Sequence, residues 1–107
     1  MRNREDFVAL ALATGVPEHT VKALANWVFD GVPTGSFLRS VMDNNLFEAC
    51  LRADGVNILA LKQIVEFIVR YMPYQTHGII GCENWKEWPK SREAWFNSSP
   101  DIKVKWL

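Results

Sequence analysis

Between Asn3 and Met72, apolar residues recur three and four positions apart, and glycine or proline cuts the pattern into short lengths. That combination confines the chain to short helices packed on one another, because each apolar stripe needs a facing stripe to bury. Asn3 with Asp6 reads as a helix start, Phe7, Val8, Leu10, Ala11 and Leu12 supply its apolar patch, and Gly15 is placed to stop it. Pro17 suits the start of a second helix, where a missing N–H costs nothing. Val21, Leu24, Ala25 and Val28 carry that helix to Gly31, so a hairpin joined by Gly15-Val16-Pro17 is predicted.

After the break at Gly31-Val32-Pro33-Thr34-Gly35-Ser36, the residues Phe37, Leu38, Val41 and Met42 predict a short helix. Asp43-Asn44-Asn45 stops it and caps another from about Leu46 to Ala53. Asp54 and Asn57 then read as cap and first-turn partner of the longest helix, 56–72. Ile58, Leu61, Ile64, Val65, Ile68 and Met72 share one face of it, while Val56, Leu59, Phe67 and Val69 lie off that stripe. Such a helix is expected to be buried nearly all round, at the centre of the fold or against another subunit. Pro73 ends it. A glycine-containing loop follows over 74–81, then a short turn from Glu83 to Trp88 closed by Pro89, then a helix capped by Ser91 and carrying Trp95 and Phe96. Ile102, Val104 and Trp106 alternate with Lys103 and Lys105, the two-residue period of an extended strand. The expected fold is therefore all-α, a compact bundle of about five helices around a long central helix. A helical domain spans 1–88, and a Trp-rich C-terminal extension, 89–107, lies on that domain or on a neighbouring subunit.

Function classes are narrowed next by charge and length. Twelve basic residues balance twelve acidic ones in 107 residues, one domain's worth. The balance argues against direct nucleic-acid binding, which draws on surplus cations. No apolar run approaches the ~20 residues of a membrane span, and the N-terminus lacks the pattern of a secretory signal, so a cytoplasmic location is expected. The two histidines, His19 and His77, are the only imidazoles available as a base. Cys50, among Leu46, Phe47, Ala49 and Leu51, is expected to pack as a small hydrophobe. His77 and Cys82 make half a metal site without a second close pair. No catalytic residue, metal or cofactor is therefore assigned, and an enzyme stays only as a residual alternative.

Three sets of residues carry binding chemistry. Thr34, Gly35 and Ser36 precede a helix, where hydroxyls and free N–H groups stabilise an anion, and Arg39 one turn later adds a charge. An ordinary helix cap is the favoured reading of the same loop, since caps of this kind occur in most helical proteins. Asn44, Asn45, Arg52, Asp54 and Asn57 either line a polar pocket with Arg52 as anion partner or cap helices at their boundaries. Trp85, Trp88, Trp95 and Trp106 are four of five tryptophans and fall after residue 80; they either cover the open end of the bundle or form an interface.

Val32-Pro33-Thr34-Gly35-Ser36-Phe37-Leu38, then Asn44-Asn45-Leu46, Ala49, Arg52-Ala53-Asp54, Asn57 and Pro73 resemble a loose family of small proteins encoded by bacteriophages and prophage-like elements. Their pattern runs Pro-x-Gly-Ser-Phe-Leu, Asn-Asp-Leu, Ala-Asp, a following Asn, a proline and a Trp-bearing end. The likeness covers residues 32–88, and Asn45 stands where the pattern has an acid. It implies a phage-type accessory protein in the host bacterial cytosol, which by analogy opposes host defence or redirects host machinery. The expected function is thus a non-catalytic protein that binds a host defence component and forms a homo-oligomer. The alternative is a binder that sequesters a nucleotide-type signalling molecule, with Thr34, Ser36, Arg39 and Arg52 on phosphate and Trp rings for stacking.

Overall fold

The computed structural model describes residues 3–98, and every regular element among them is helical. Helix α1 spans Arg4–Thr14 and α2 spans Glu18–Asp30. The Asn3 side chain accepts the Asp6 N–H at 2.9 Å, and Gly15 closes α1 in the left-handed region. The helix pair forms the expected hairpin, with Phe7 and Ala11 buried against Val21, Leu24, Ala25 and Val28. Arg4 ties its open end, donating to Asn26 at 2.9 Å and pairing with Asp30.

Helices α3 (Ser36–Met42) and α4 (Leu46–Arg52) form the closest-packed pair in the fold. Between them Asn44 adopts φ 60°, a left-handed conformation that asparagine tolerates, and the Asn45 side chain accepts the Glu48 N–H at 3.1 Å. Phe37, Leu38, Val41 and Met42 are all buried, so α3 is anchored by most of its seven residues.

The long helix expected over 56–72 is instead two. Helix α5 spans Gly55–Leu59 and α6 spans Leu61–Tyr71, and Ala60 turns the chain between them. Each half answers to a different anchor. Asp54 Oδ1 caps α5 by accepting the Asn57 N–H at 2.7 Å, and the Thr20 hydroxyl donates to Asn57 Oδ1 at 2.6 Å, which holds α5 to α2. Ile64, Phe67 and Ile68 bury α6, where Phe67 meets Phe7 edge-to-face with centroids 5.0 Å apart. Neither half is buried all round, since Val56, Ile58 and Leu59 of α5 face solvent and α6 exposes Lys62 and Arg70.

Pro73 leads into a single 3-10 turn, Tyr74–Thr76, and a second, Trp85–Glu87, runs directly into α7, Trp88–Asn97. Pro89 therefore opens a helix rather than closing one, and Ser91 lies inside it, because a proline in the first turn withholds an N–H that has no intrahelical acceptor. Helix α7 is fixed to the end of α2. Trp88 is fully buried and its indole N–H is shared between the carbonyls of Trp27 and Val28 at 3.1 and 3.0 Å, while Arg92 donates to the Phe29 carbonyl at 2.9 Å. These carbonyls belong to the last turn of α2, where the Trp27 carbonyl also accepts the Gly31 N–H at 3.1 Å and the Val28 carbonyl, past the end of the helical ladder, takes the indole as its donor. Gly31 permits the approach twice over, with φ 68° and with a would-be Cβ only 3.0 Å from Pro89 Cα. The boundary expected at Trp88–Pro89 thus falls within α7, and residues 89–98 pack on their own domain. The strand expected at Ile102–Leu107, with Trp106, lies outside the described residues.

Candidate functional site

Two clefts flank α3. The first, about 260 Å³, lies where the start of α2, the start of α3, the end of α4 and the start of α5 meet. Its polar wall is made by His19, Ser36, Arg52, Asp54 and Asn57. Asn57 is the buried member, held by Thr20 and Asp54 as described, with Nδ2 3.4 Å from His19 Nε2. That imidazole nitrogen is also 3.3 Å from Asp54 Oδ2. Arg52 donates to Glu48 at 2.8 Å one helical turn back, so its charge is already paired. The second cleft, about 140 Å³, is floored by Trp27, Met42 and Trp85 and rimmed by Thr34, Arg39 and Lys86. Trp27 donates to the Thr76 carbonyl at 2.8 Å and Trp85 donates to Asp43 Oδ1 at 3.1 Å, which fixes both rings. Lys86 Nζ lies 3.8 Å from the same Asp43 oxygen and 5.6 Å from the Trp85 ring centroid.

The residues expected to act together are therefore divided. Gly35, Ser36, Arg52, Asp54 and Asn57 share the polar cleft, whereas Thr34 and Arg39 belong to the Trp-floored one. Asn44 and Asn45 border a third, mainly apolar groove with Val41, Leu46, Ala49, Leu61, Val65 and Ile79. Neither Thr34 nor Ser36 caps α3 through its side chain, because Gly35 occupies the cap position. Asn45 and Asp54 do cap, as expected for that set. His19, Thr20 and Lys86 join these clefts through tertiary contacts that no local pattern announces.

The tryptophans also sort differently. Trp85 and Trp88 are buried in the chain's own core and offer no interface, and Trp95 packs edge-to-face on Trp88 and Phe96. The exposed apolar surface is elsewhere. Leu46, Phe47 and Leu51 on α4 with Val56, Ile58 and Leu59 on α5 all face solvent, Phe47 being 83% and Leu59 85% exposed. Cys50 lies exposed in the same segment rather than packed inside, since α4 buries only Ala49. Their helical spacing was legible, but spacing does not say whether a stripe finds a facing element.

His77 is fully buried, and desolvation pushes its pKa down from 6.5 to about 4, which keeps it neutral near pH 7. Nδ1 accepts the Ile79 N–H at 3.3 Å, and Nε2 has no partner. Cys82 bonds to Asn84 at 3.1 Å, and among the described residues no three His, Cys, Asp or Glu side chains converge as metal ligands. No helix among the described residues is long and apolar enough to cross a membrane. The chain matches no family model, no curated protein and no solved structure.

Proposed function

We propose that the chain is a non-catalytic accessory protein that works by docking another protein on the α4–α5 surface. The observation that carries this reading is the run of six large apolar side chains left exposed within fourteen residues, 46–59. Each of them is at least two-fifths exposed, and exposed large apolar side chains gathered in one segment are a mark of interaction surfaces. Leaving that area wet gains nothing for the fold, whereas covering it is the main driving force of association. With the phage-type resemblance of residues 32–88, the partner is a host protein, and a component of antiviral defence in the bacterial cytosol is the reading that context favours.

The test is capture of a specific protein from bacterial lysate by the native chain and by Leu51→Glu and Leu59→Glu variants. Both positions are about four-fifths exposed, 79% and 85%, so folding is unaffected and capture is abolished. Capture that survives both substitutions removes the surface from the argument. A second copy of the chain is the competing occupant, favoured by the Glu48–Arg52 pair on α4: opposite charges one turn apart let the surface meet its own copy without repulsion. Light scattering separates the two, since self-docking gives a mass of twice 12.3 kDa that reverts in the variants.

A further inference from the structure

The cleft between α3 and the Trp85–Glu87 turn has a use that the docking surface does not explain. Its floor is apolar and rigid, because Trp27 and Trp85 are both held by hydrogen bonds through their indole N–H groups. Above that floor stand a hydroxyl, Thr34, and two cations, Arg39 and Lys86. Arg39 is exposed and, like Lys22, Arg70 and Arg92, forms no ion pair among the described residues; of these four cations it is the one that lines this cleft. Lys86 is within reach of Asp43, but that pair is half-exposed and long, at 3.8 Å, so it is weak and exchangeable. An apolar base beneath convergent donors is the usual make-up of a small-ligand site.

We propose that this cleft binds a phosphomonoester carrying an apolar group of single-ring size. The volume, about 140 Å³, sets the size class, since an apolar cavity of ~150 Å³ takes up one benzene ring. The ring rests against Trp27, Met42 and Trp85, and the phosphate sits at the rim. There the Arg39 guanidinium gives paired N–H donors and Lys86 a point charge, with the Thr34 hydroxyl as a neutral donor. A larger ligand, such as a nucleotide, places one ring or one phosphate inside and keeps the rest in solvent. Asp43 opposes binding by repelling the phosphate and by holding Lys86, yet it also orients Trp85. That opposition makes the site testable in a direction that simple damage does not produce.

The experiment titrates phenyl phosphate, inorganic phosphate and phenol into the full chain at pH 8, where the ester is a dianion. Calorimetry reads affinity, and the indole N–H signals in a proton–nitrogen NMR spectrum report location. Phenyl phosphate is expected to bind tightest and inorganic phosphate more weakly, with phenol not binding. The Trp27 and Trp85 signals shift while that of Trp88, sealed in the core, does not. Arg39→Gln weakens phenyl phosphate by about tenfold or more, the scale of one charge-assisted hydrogen bond. Asp43→Asn keeps an acceptor for Trp85 and tightens binding about two- to fivefold, the worth of one exposed charge interaction. No heat and no shift up to ten millimolar phenyl phosphate, equal binding of phenol, or an Arg39→Gln variant with native affinity would each overturn the assignment. The docking surface is untouched by these substitutions, so loss of the ligand site leaves partner capture intact and the two readings fail separately.

Discussion

The buried imidazole of His77 makes the fold sensitive to mild acid. Its Nδ1 accepts the Ile79 N–H, so the neutral ring carries its proton on Nε2, an assignment that follows from the hydrogen bond. A second proton would have to enter at Nδ1, break that bond and place a charge where water does not reach. Desolvation accordingly lowers the pKa from 6.5 to about 4. The unfolded chain protonates at the higher value, so it takes up a proton that the native state refuses. Native stability is therefore full above pH 6.5, declines as the pH falls through that value, and levels off below about 4. The interval corresponds to about 3 kcal/mol, a large part of the total stability of a small domain. Urea unfolding followed by tryptophan fluorescence at pH 7.5, 6, 5 and 4 measures it, with His77→Gln as comparison. Carboxylates common to both proteins cancel in the difference. The variant starts less stable, but its deficit shrinks by about 3 kcal/mol on going to pH 4. A deficit that stays constant with pH would show that His77 does not titrate against the fold.

Three further outcomes follow from the packing. Asp54→Ala removes the cap of α5 and the neighbour of His19, and is expected to lower stability by about 1 kcal/mol in the same urea assay. Trp88→Ala empties a fully buried ring site and strips the Val28 carbonyl of its indole donor, while the Trp27 carbonyl keeps the Gly31 N–H, at a cost of about 3–5 kcal/mol; a loss under 1 kcal/mol would mean that α7 is not docked as described. Gly31→Ala forces a side chain into a left-handed residue against Pro89, and costs more than about 1 kcal/mol, read as a lower thermal midpoint.

Caps and stops were legible because they are local. Asn3, Gly15, Asn45 and Asp54 act within three or four residues of themselves, so their chemistry is written beside them. The break at Ala60 was not, since neither glycine nor proline marks it, and the Thr20–Asn57 hydrogen bond that holds α5 to α2 joins residues 37 positions apart. Pro89 was misplaced for a related reason. A proline both ends a helix and opens one, and only the docking of Trp88 on α2 selects the second use. The 46–59 segment is expected from its spacing to be covered, Cys50 by its neighbours and 56–59 by the core or by another subunit, yet it faces solvent in this chain, because apolar spacing reports which residues share a face, not whether that face is covered.

The motif that looked like one anion loop is better understood as a device for placing a helix between two clefts. Phe37, Leu38, Val41 and Met42 sink α3 into the core, and the chain enters it extended at Gly35, with φ −69° and ψ 176°. Thr34 and Arg39 then emerge over Trp27 and Trp85, while Ser36 emerges beside Arg52 and Asn57. Residues adjacent in sequence thus serve different cavities, and the partners that complete each one come from distant parts of the chain, as Lys86 does for Thr34. Proximity in sequence tells which side chains ride on the same short helix; the pairing of α3 with α4 on one side and the Trp85–Glu87 turn on the other decides which of them line a common cleft.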